Sequence, residues 1–171
     1  MSPNLLSQVY FNSTQEEAPL LSCGEPVNVA DVATDPAAAH QLIKLGISPR
    51  HDLPAVLLRE PGGKIRVVGL RLSPEEAARL AGGAGFPTSR RLVYSAAWCP
   101  DCRRAKRVLE EAETSYEEVD IDSDPRAEAA VLERSGGRRV IPTLLFDDRL
   151  WAFNPDPPLL RRLLDIKPAR A

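Results

Sequence analysis

The sequence predicts an α/β protein whose carboxy-terminal half, residues 90–171, is a four-stranded mixed sheet with flanking helices. A small α+β unit precedes it. Three observations carry this prediction. Strand-like and helix-like segments alternate after residue 90 in the order β-α-β-α-β-β-α. The stretch A-G-G-A-G-F-P-T-S-R at 81–90 is too rich in glycine and proline to be the interior of an element, which marks a boundary. A Cys-x-x-Cys sits where the first strand of the second half runs into a helix. The expected organisation is a tail or arm at 1–18, a small unit at 19–82, a linker at 83–89 and the α/β domain at 90–171.

In the first half, Val27, Val29 and Val32 form a short β-prone run after Pro26. Asp35 then reads as an N-cap, with Pro36 at the first helical position, Leu42 and Leu45 on one face and Gly46 as the stop. Residues 53–59 and 64–70 are β-rich and joined by Pro61-Gly62-Gly63, a hairpin signal. Ser73-Pro74-Glu75-Glu76 is a capping box that opens a helix running to about Ala81. No internal repeat or low-complexity block is expected.

In the second half, residues 91–95 are a short apolar strand leading into W-C-P-D-C. The helix that follows carries Cys102, Ala105, Val108, Leu109 and Ala112 on one face. A strand at 116–121 precedes a helix that starts at Asp124-Pro125 and closes at Gly136-Gly137. Residues 143–146 and 150–153 form a hairpin across Asp147-Asp148-Arg149, and residues 157–165 a last helix bearing Leu159, Leu160, Leu163 and Leu164.

Composition bounds the function. The chain has 171 residues, 43% of them hydrophobic and 27% charged, with a net charge of −2, an ordinary balance for a globular protein. Nothing in it steers the molecule toward nucleic acid. No stretch approaches the roughly 18–20 apolar residues of a membrane span, and the amino terminus lacks the basic-then-apolar pattern of a signal peptide. With three cysteines, Cys23, Cys99 and Cys102, the chain does not resemble a secreted disulfide scaffold. The cytoplasm is the expected compartment, and there a Cys-x-x-Cys is catalytic or metal-binding.

The redox reading has a physical basis. A sulfur at a helix amino terminus faces unsatisfied N–H groups and the positive end of the dipole, which stabilise a thiolate. Its pKa falls from about 8.5 into a range of roughly 3.5–7.5. The second sulfur, nearly one turn on, can attack a mixed disulfide formed by the first. Cys99 is thus the expected nucleophile and Cys102 the resolving thiol, the more buried of the two. Pro100 has no N–H to leave unsatisfied in the first turn. Asp101 opposes the thiolate, while Arg103 and its basic neighbours Arg104, Lys106 and Arg107 favour it; the same cluster also fits a solvated helix face. A zinc site would need two further ligands. Cys23, His40 and His51 are the candidates, all in the other half and none in paired spacing, so inert or surface roles are expected for them.

S-A-A-W-C-P-D-C, V-D-I-D-x-D-P, G-G-R-R-V-I-P-T and N-P-D, spread over residues 91–164, together resemble the glutaredoxin-like, thioredoxin-fold family, in particular its mycoredoxin-type branch. The resemblance implies that Pro142 is cis and faces the disulfide, that Ile141 receives the substrate chain through its backbone, and that Thr143 follows on this platform. Trp98 would flank Cys99 at the surface and Tyr94 lie on the strand beneath. Glutathione-type members carry Gly-Gly and an acidic residue after the proline strand, where this chain has D-D-R-L-W-A-F-N-P-D. The implied electron donor is therefore a low-molecular-weight thiol other than glutathione, or a flavin-containing thioredoxin-type reductase, as readily as glutathione itself. No resident cofactor is implied beyond the redox-active Cys99–Cys102 disulfide.

In the first half, Leu42 to Pro49 (Leu-x-x-Leu-Gly-Ile-x-Pro) and Gly63 to Ala77 resemble the small SH3-like domain of ferrous-iron transport protein A and iron-dependent regulators. That resemblance implies a docking or dimerisation module.

The expected activity is reduction of protein or mixed disulfides by a cytosolic dithiol oxidoreductase, its partners a disulfide-containing client and the donor. The alternative is a non-catalytic adaptor that senses oxidation and docks partners through its first half. Sequence leaves the client, the redox potential and the oligomeric state open.

Overall fold

The computed structural model describes residues 5–15, 27–83 and 88–164. The chain divides into two compact units, residues 3–84 and 85–171.

In the first unit the described elements are β1 (Leu6–Phe11), β2 (Val27–Asp31), α1 (Pro36–Lys44), β3 (Ala55–Arg59), β4 (Ile65–Gly69) and α2 (Pro74–Ala81). Its strands run in the order β2-β1-β3-β4. β1 is parallel to β2 and antiparallel to β3, and β3 is antiparallel to β4. Local chemistry builds the helices as expected. The Asp35 carboxylate accepts from the N–H groups of Ala37 and Ala38, with Pro36 at the first position, and Ser73 and Glu76 close a full capping box. Gly46 takes a left-handed turn at φ 69° just after α1. Val9, Leu42, Val56, Leu57, Leu58, Val67 and Leu80 are among the buried side chains.

Three expectations are corrected here. Within the presumed arm at 1–18, residues 6–11 form β1, which pairs on both sides, with β2 through Val9↔Val29 and with β3 through Val9↔Val56. The hydroxyl of Ser7, a buried polar group, is satisfied by the carbonyl of Ala81 at 3.0 Å. Among the described residues the unit does not show an SH3-like barrel: a parallel pair lies in its sheet, and β2 and β4 are not paired, so these four strands do not close on themselves. Val32 lies in the turn after β2 rather than in the strand. Pro26, Cys23 and the linker positions 84–87 lie outside the described residues.

The second unit contains β5 (Arg91–Ser95), α3 (Pro100–Glu111), β6 (Glu117–Asp120), α4 (Pro125–Arg134), β7 (Thr143–Phe146), β8 (Leu150–Phe153) and α5 (Pro157–Leu164). Its strands run β6-β5-β7-β8, with β5 parallel to β6, β5 antiparallel to β7 and β7 antiparallel to β8. This is the thioredoxin-like arrangement. Val93, Leu109, Val131, Leu144, Phe146 and Leu160 are fully or almost fully buried. Tyr94 stacks on Trp151 with ring centroids 5.8 Å apart, which makes both of them core residues.

The expectation of no internal repeat is also overturned, because the described elements of the first unit repeat those of the second. Strand order and directions are the same. Tyr10 pairs with Ala55 just after Pro54, as Tyr94 pairs with Thr143 just after Pro142. Leu53–Pro54 and Ile141–Pro142 are both cis. Asp31 to Pro36 (D-V-A-T-D-P) matches Asp120 to Pro125 (D-I-D-S-D-P), and Asp35 and Asp124 cap their helices in the same way. Between the first two strands of the second unit residues 96–116 carry α3; in the first unit only residues 12–15 of the corresponding connection are among the described residues.

Candidate active site

β5 runs out at Ser95, and the chain turns through Ala96, Ala97 and Trp98 to Cys99, the N-cap of α3. The turn is closed by the Cys99 N–H donating to the Ala96 carbonyl at 3.1 Å. Cys99 has extended backbone angles, and its Sγ accepts the N–H of Cys102 at 3.0 Å. The sulfur thus takes the place that a serine or aspartate oxygen takes at an ordinary helix start. Pro100 follows at the first helical position. Cys99 and Cys102 are joined in a disulfide with their Cα atoms 5.2 Å apart.

Cys102 is the more buried of the two cysteines, by a narrow margin. Cys99 is 2% exposed and Cys102 0%, in a cluster with Ala96 against which Ile141 packs. The apolar cover over the disulfide comes from the residue before Pro142 as well as from α3. Thr143 is fully buried, its hydroxyl donating to the Val140 carbonyl at 2.8 Å, and the Pro142 carbonyl accepts the Asn154 N–H at 2.7 Å. These two bonds anchor the loop that carries Ile141.

Asp101 pairs with Arg104 at 3.0 Å and accepts from the Asn154 side-chain amide at 3.4 Å. Arg103, exposed, donates instead to the Ala97 carbonyl at 3.4 Å, bracing the turn before Cys99. Lys106 pairs with Glu118 at 2.7 Å, and the Ser95 hydroxyl donates to the same carboxylate at 2.6 Å. The Lys106 hydrogen bond, aided by that of Ser95, lowers the Glu118 pKa below the ordinary carboxylate value.

Trp98 is 61% exposed, and its indole Nε1 donates to Asp122 Oδ2 at 2.8 Å. Arg139 bonds the other oxygen of Asp122 and reaches Glu128 through Nε at 2.7 Å. The indole hydrogen bond first, and then that of Arg139, lowers the Asp122 pKa. Sequence reasoning missed Asp122, Arg139, Glu128 and Asn154. Asp122 and Arg139 stand inside the quoted segments V-D-I-D-x-D-P and G-G-R-R-V-I-P-T, but nothing in their spacing says that they meet Trp98.

The comparisons with known proteins bear on this half of the chain. The glutaredoxin family model matches residues 92–151. A Mycobacterium tuberculosis protein assigned to the glutaredoxins is 35% identical over 68 residues, which are 40% of this chain and 81% of that protein. Mycoredoxin 1 of Corynebacterium glutamicum is 35% identical over 63 residues, 37% of this chain and 77% of its own. Among solved structures, the glutaredoxin-like NrdH-redoxin of Escherichia coli is 28% identical, with 44% of this chain and 95% of that one covered and a TM-score of 0.38. Through the half that carries Cys99 and Cys102, this chain belongs to the glutaredoxin family.

Proposed function

We propose that the protein is a thiol–disulfide oxidoreductase in which Cys99 is the nucleophile and Cys102 the resolving thiol. The observation that carries this reading is the position of Cys99 Sγ as the N-cap of α3, accepting the Cys102 N–H at 3.0 Å. A backbone N–H aimed at a sulfur favours the thiolate, and the helix dipole adds to it.

In the reduced protein the Cys99 thiolate attacks one sulfur of a client disulfide. A mixed disulfide forms and the first client thiolate leaves. Cys102 gives up its proton and attacks Cys99 Sγ, which releases the second client thiolate and forms the Cys99–Cys102 disulfide. Two electrons have then passed to the client. A low-molecular-weight thiol or a flavin-containing reductase returns two electrons and resets the pair. The redox group is the cysteine pair itself, with no resident cofactor. Ile141 and Pro142 form the shelf beside the sulfur on which the client chain lies, Thr143 supports it from behind, and Trp98 and Pro100 border it. Arg103 keeps the Cys99 turn in shape. Asp101, neutralised by Arg104, weighs less against the thiolate than its charge alone suggests.

Among the described residues no helix is long and apolar enough to cross a membrane. The cytoplasm, where thiols are kept reduced, suits this cycle.

The test is turnover of a protein disulfide and of a small-thiol mixed disulfide with an excess of reductant. Fast reduction that is lost in Cys99→Ser is expected. Negligible turnover by the intact dithiol would turn the reading toward the redox-sensing adaptor.

A further inference from the structure

An exposed tryptophan needs no ionic support to stay on a surface, yet Trp98 has it. Its single donor is bound to a carboxylate. That carboxylate is fixed by Arg139, and Arg139 by Glu128 of α4. The Asp122 backbone is held in turn, its N–H donating to Asp120 Oδ1 at 2.9 Å. Arg139 lies three residues before Pro142 in the segment that leads to Ile141, the side chain packed on the disulfide. One carboxylate therefore joins the turn that carries Trp98 and Cys99 to the loop that carries Ile141.

Resting on the oxidoreductase reading above, we propose that Asp122 and Arg139 are positioning residues that hold the Trp98 indole as a preset wall for the client chain beside Cys99. Neither touches the reacting sulfurs. Their effect is on client binding: a ring held in place before the client arrives does not have to be immobilised when it arrives. The Cys99 thiolate owes its stability to the α3 N-terminus, so its reactivity toward a small reagent is independent of the bracket.

The experiment compares wild type with Asp122→Ala, Asp122→Asn and Arg139→Gln. It reads KM and kcat for a protein disulfide, the pH profile of Cys99 alkylation in reduced protein, and the Trp98 indole N–H resonance. Asp122→Ala is expected to raise KM by about two- to twelve-fold, the range for immobilising one side chain. Its kcat should stay within about two-fold, its alkylation profile should not move, and the indole proton should lose its hydrogen-bonded shift. Asp122→Asn keeps an acceptor for the indole and should fall between wild type and Asp122→Ala. Arg139→Gln leaves the carboxylate and should raise KM less than Asp122→Ala. An unchanged KM in Asp122→Ala overturns the proposal, as does a shifted alkylation profile, which would mean that Asp122 acts on the thiol. Turnover in wild type with no KM effect in the variants sinks this inference alone. If wild type reduces no disulfide, the oxidoreductase reading fails and the inference falls with it.

Discussion

The first unit and the second share a scaffold, and the Cys99–Cys102 pair belongs to the second. Each begins with a parallel strand pair followed by a helix that starts at Asp-Pro, and each continues through a proline into an antiparallel hairpin and a last helix. Leu42 of α1 and Val131 of α4 are both fully buried, one helix turn or more past matching caps. In the second unit the turn from Ala96 to Cys99 and the helix α3 lie between the two parallel strands. Strand order, caps and buried aliphatics recur in the first unit without a Cys-x-x-Cys. The cysteine pair is a local feature at one strand end, in line with function residing in a site carried by a fold.

Substitutions at matching positions of the two units test how far the likeness goes. The largest effect is expected from Cys99→Ser. With a hydroxyl in place of a thiolate, disulfide reduction should fall by at least about a thousand-fold. The circular dichroism spectrum should stay the same. Activity above a tenth of wild type would move the chemistry elsewhere.

Next come the paired core truncations. Leu42→Ala should cost about 2–5 kcal/mol and Val131→Ala about 1.5–3 kcal/mol, read as shifts of the urea midpoint. If Leu42→Ala proved nearly neutral, the first unit would not be built around its helix as the second is.

Cap removal is a smaller test. Asp35→Ala and Asp124→Ala should each cost about 1 kcal/mol. Widely unequal costs would mean that the repeated Asp-Pro start is a likeness of sequence only.

The smallest effect concerns pH. Asp31 in the first unit and Asp122 in the second both have lowered pKa values, Asp31 chiefly through its hydrogen bonds with Ser13 and Asp122 chiefly through that with Trp98. A carboxylate with a lowered folded pKa contributes in full above its unfolded value, about 3.9. The contribution is lost as pH falls through the lowered folded value. The Trp98 indole resonance should therefore be constant from neutral pH down to about pH 4 and change only below it. A change centred near pH 6 would place another group in control.

Much of the fold was legible because its signals are local. Asp35, Ser73 and Asp124 announce helix starts by side-chain chemistry that needs no partner from elsewhere. The strand pairs of the two hairpins are marked by their turns, and the glutaredoxin motifs identify the family. β1 was hidden because Ser7 and Gln8 break its apolar pattern, and its strand character comes from pairing with β2 and β3. The repeat was hidden because topology recurs where sequence does not, apart from the six residues that start at Asp31 and Asp120. The bracket around Trp98 joins positions 98, 122, 128 and 139, which only the folded chain brings together. Arg104 rather than Arg103 pairs with Asp101, a choice made by helix geometry at i and i+3.

The central claim is that α3 holds Cys99 as an anion at neutral pH. Its most direct test is the rate of iodoacetamide alkylation of Cys99 in fully reduced protein as a function of pH, with Cys23 replaced by serine. The account predicts an inflection within or below the range of roughly 3.5–7.5 and a rate that is level above it. A rate that climbs through about pH 8.5, as for a thiol in a simple peptide, would contradict it.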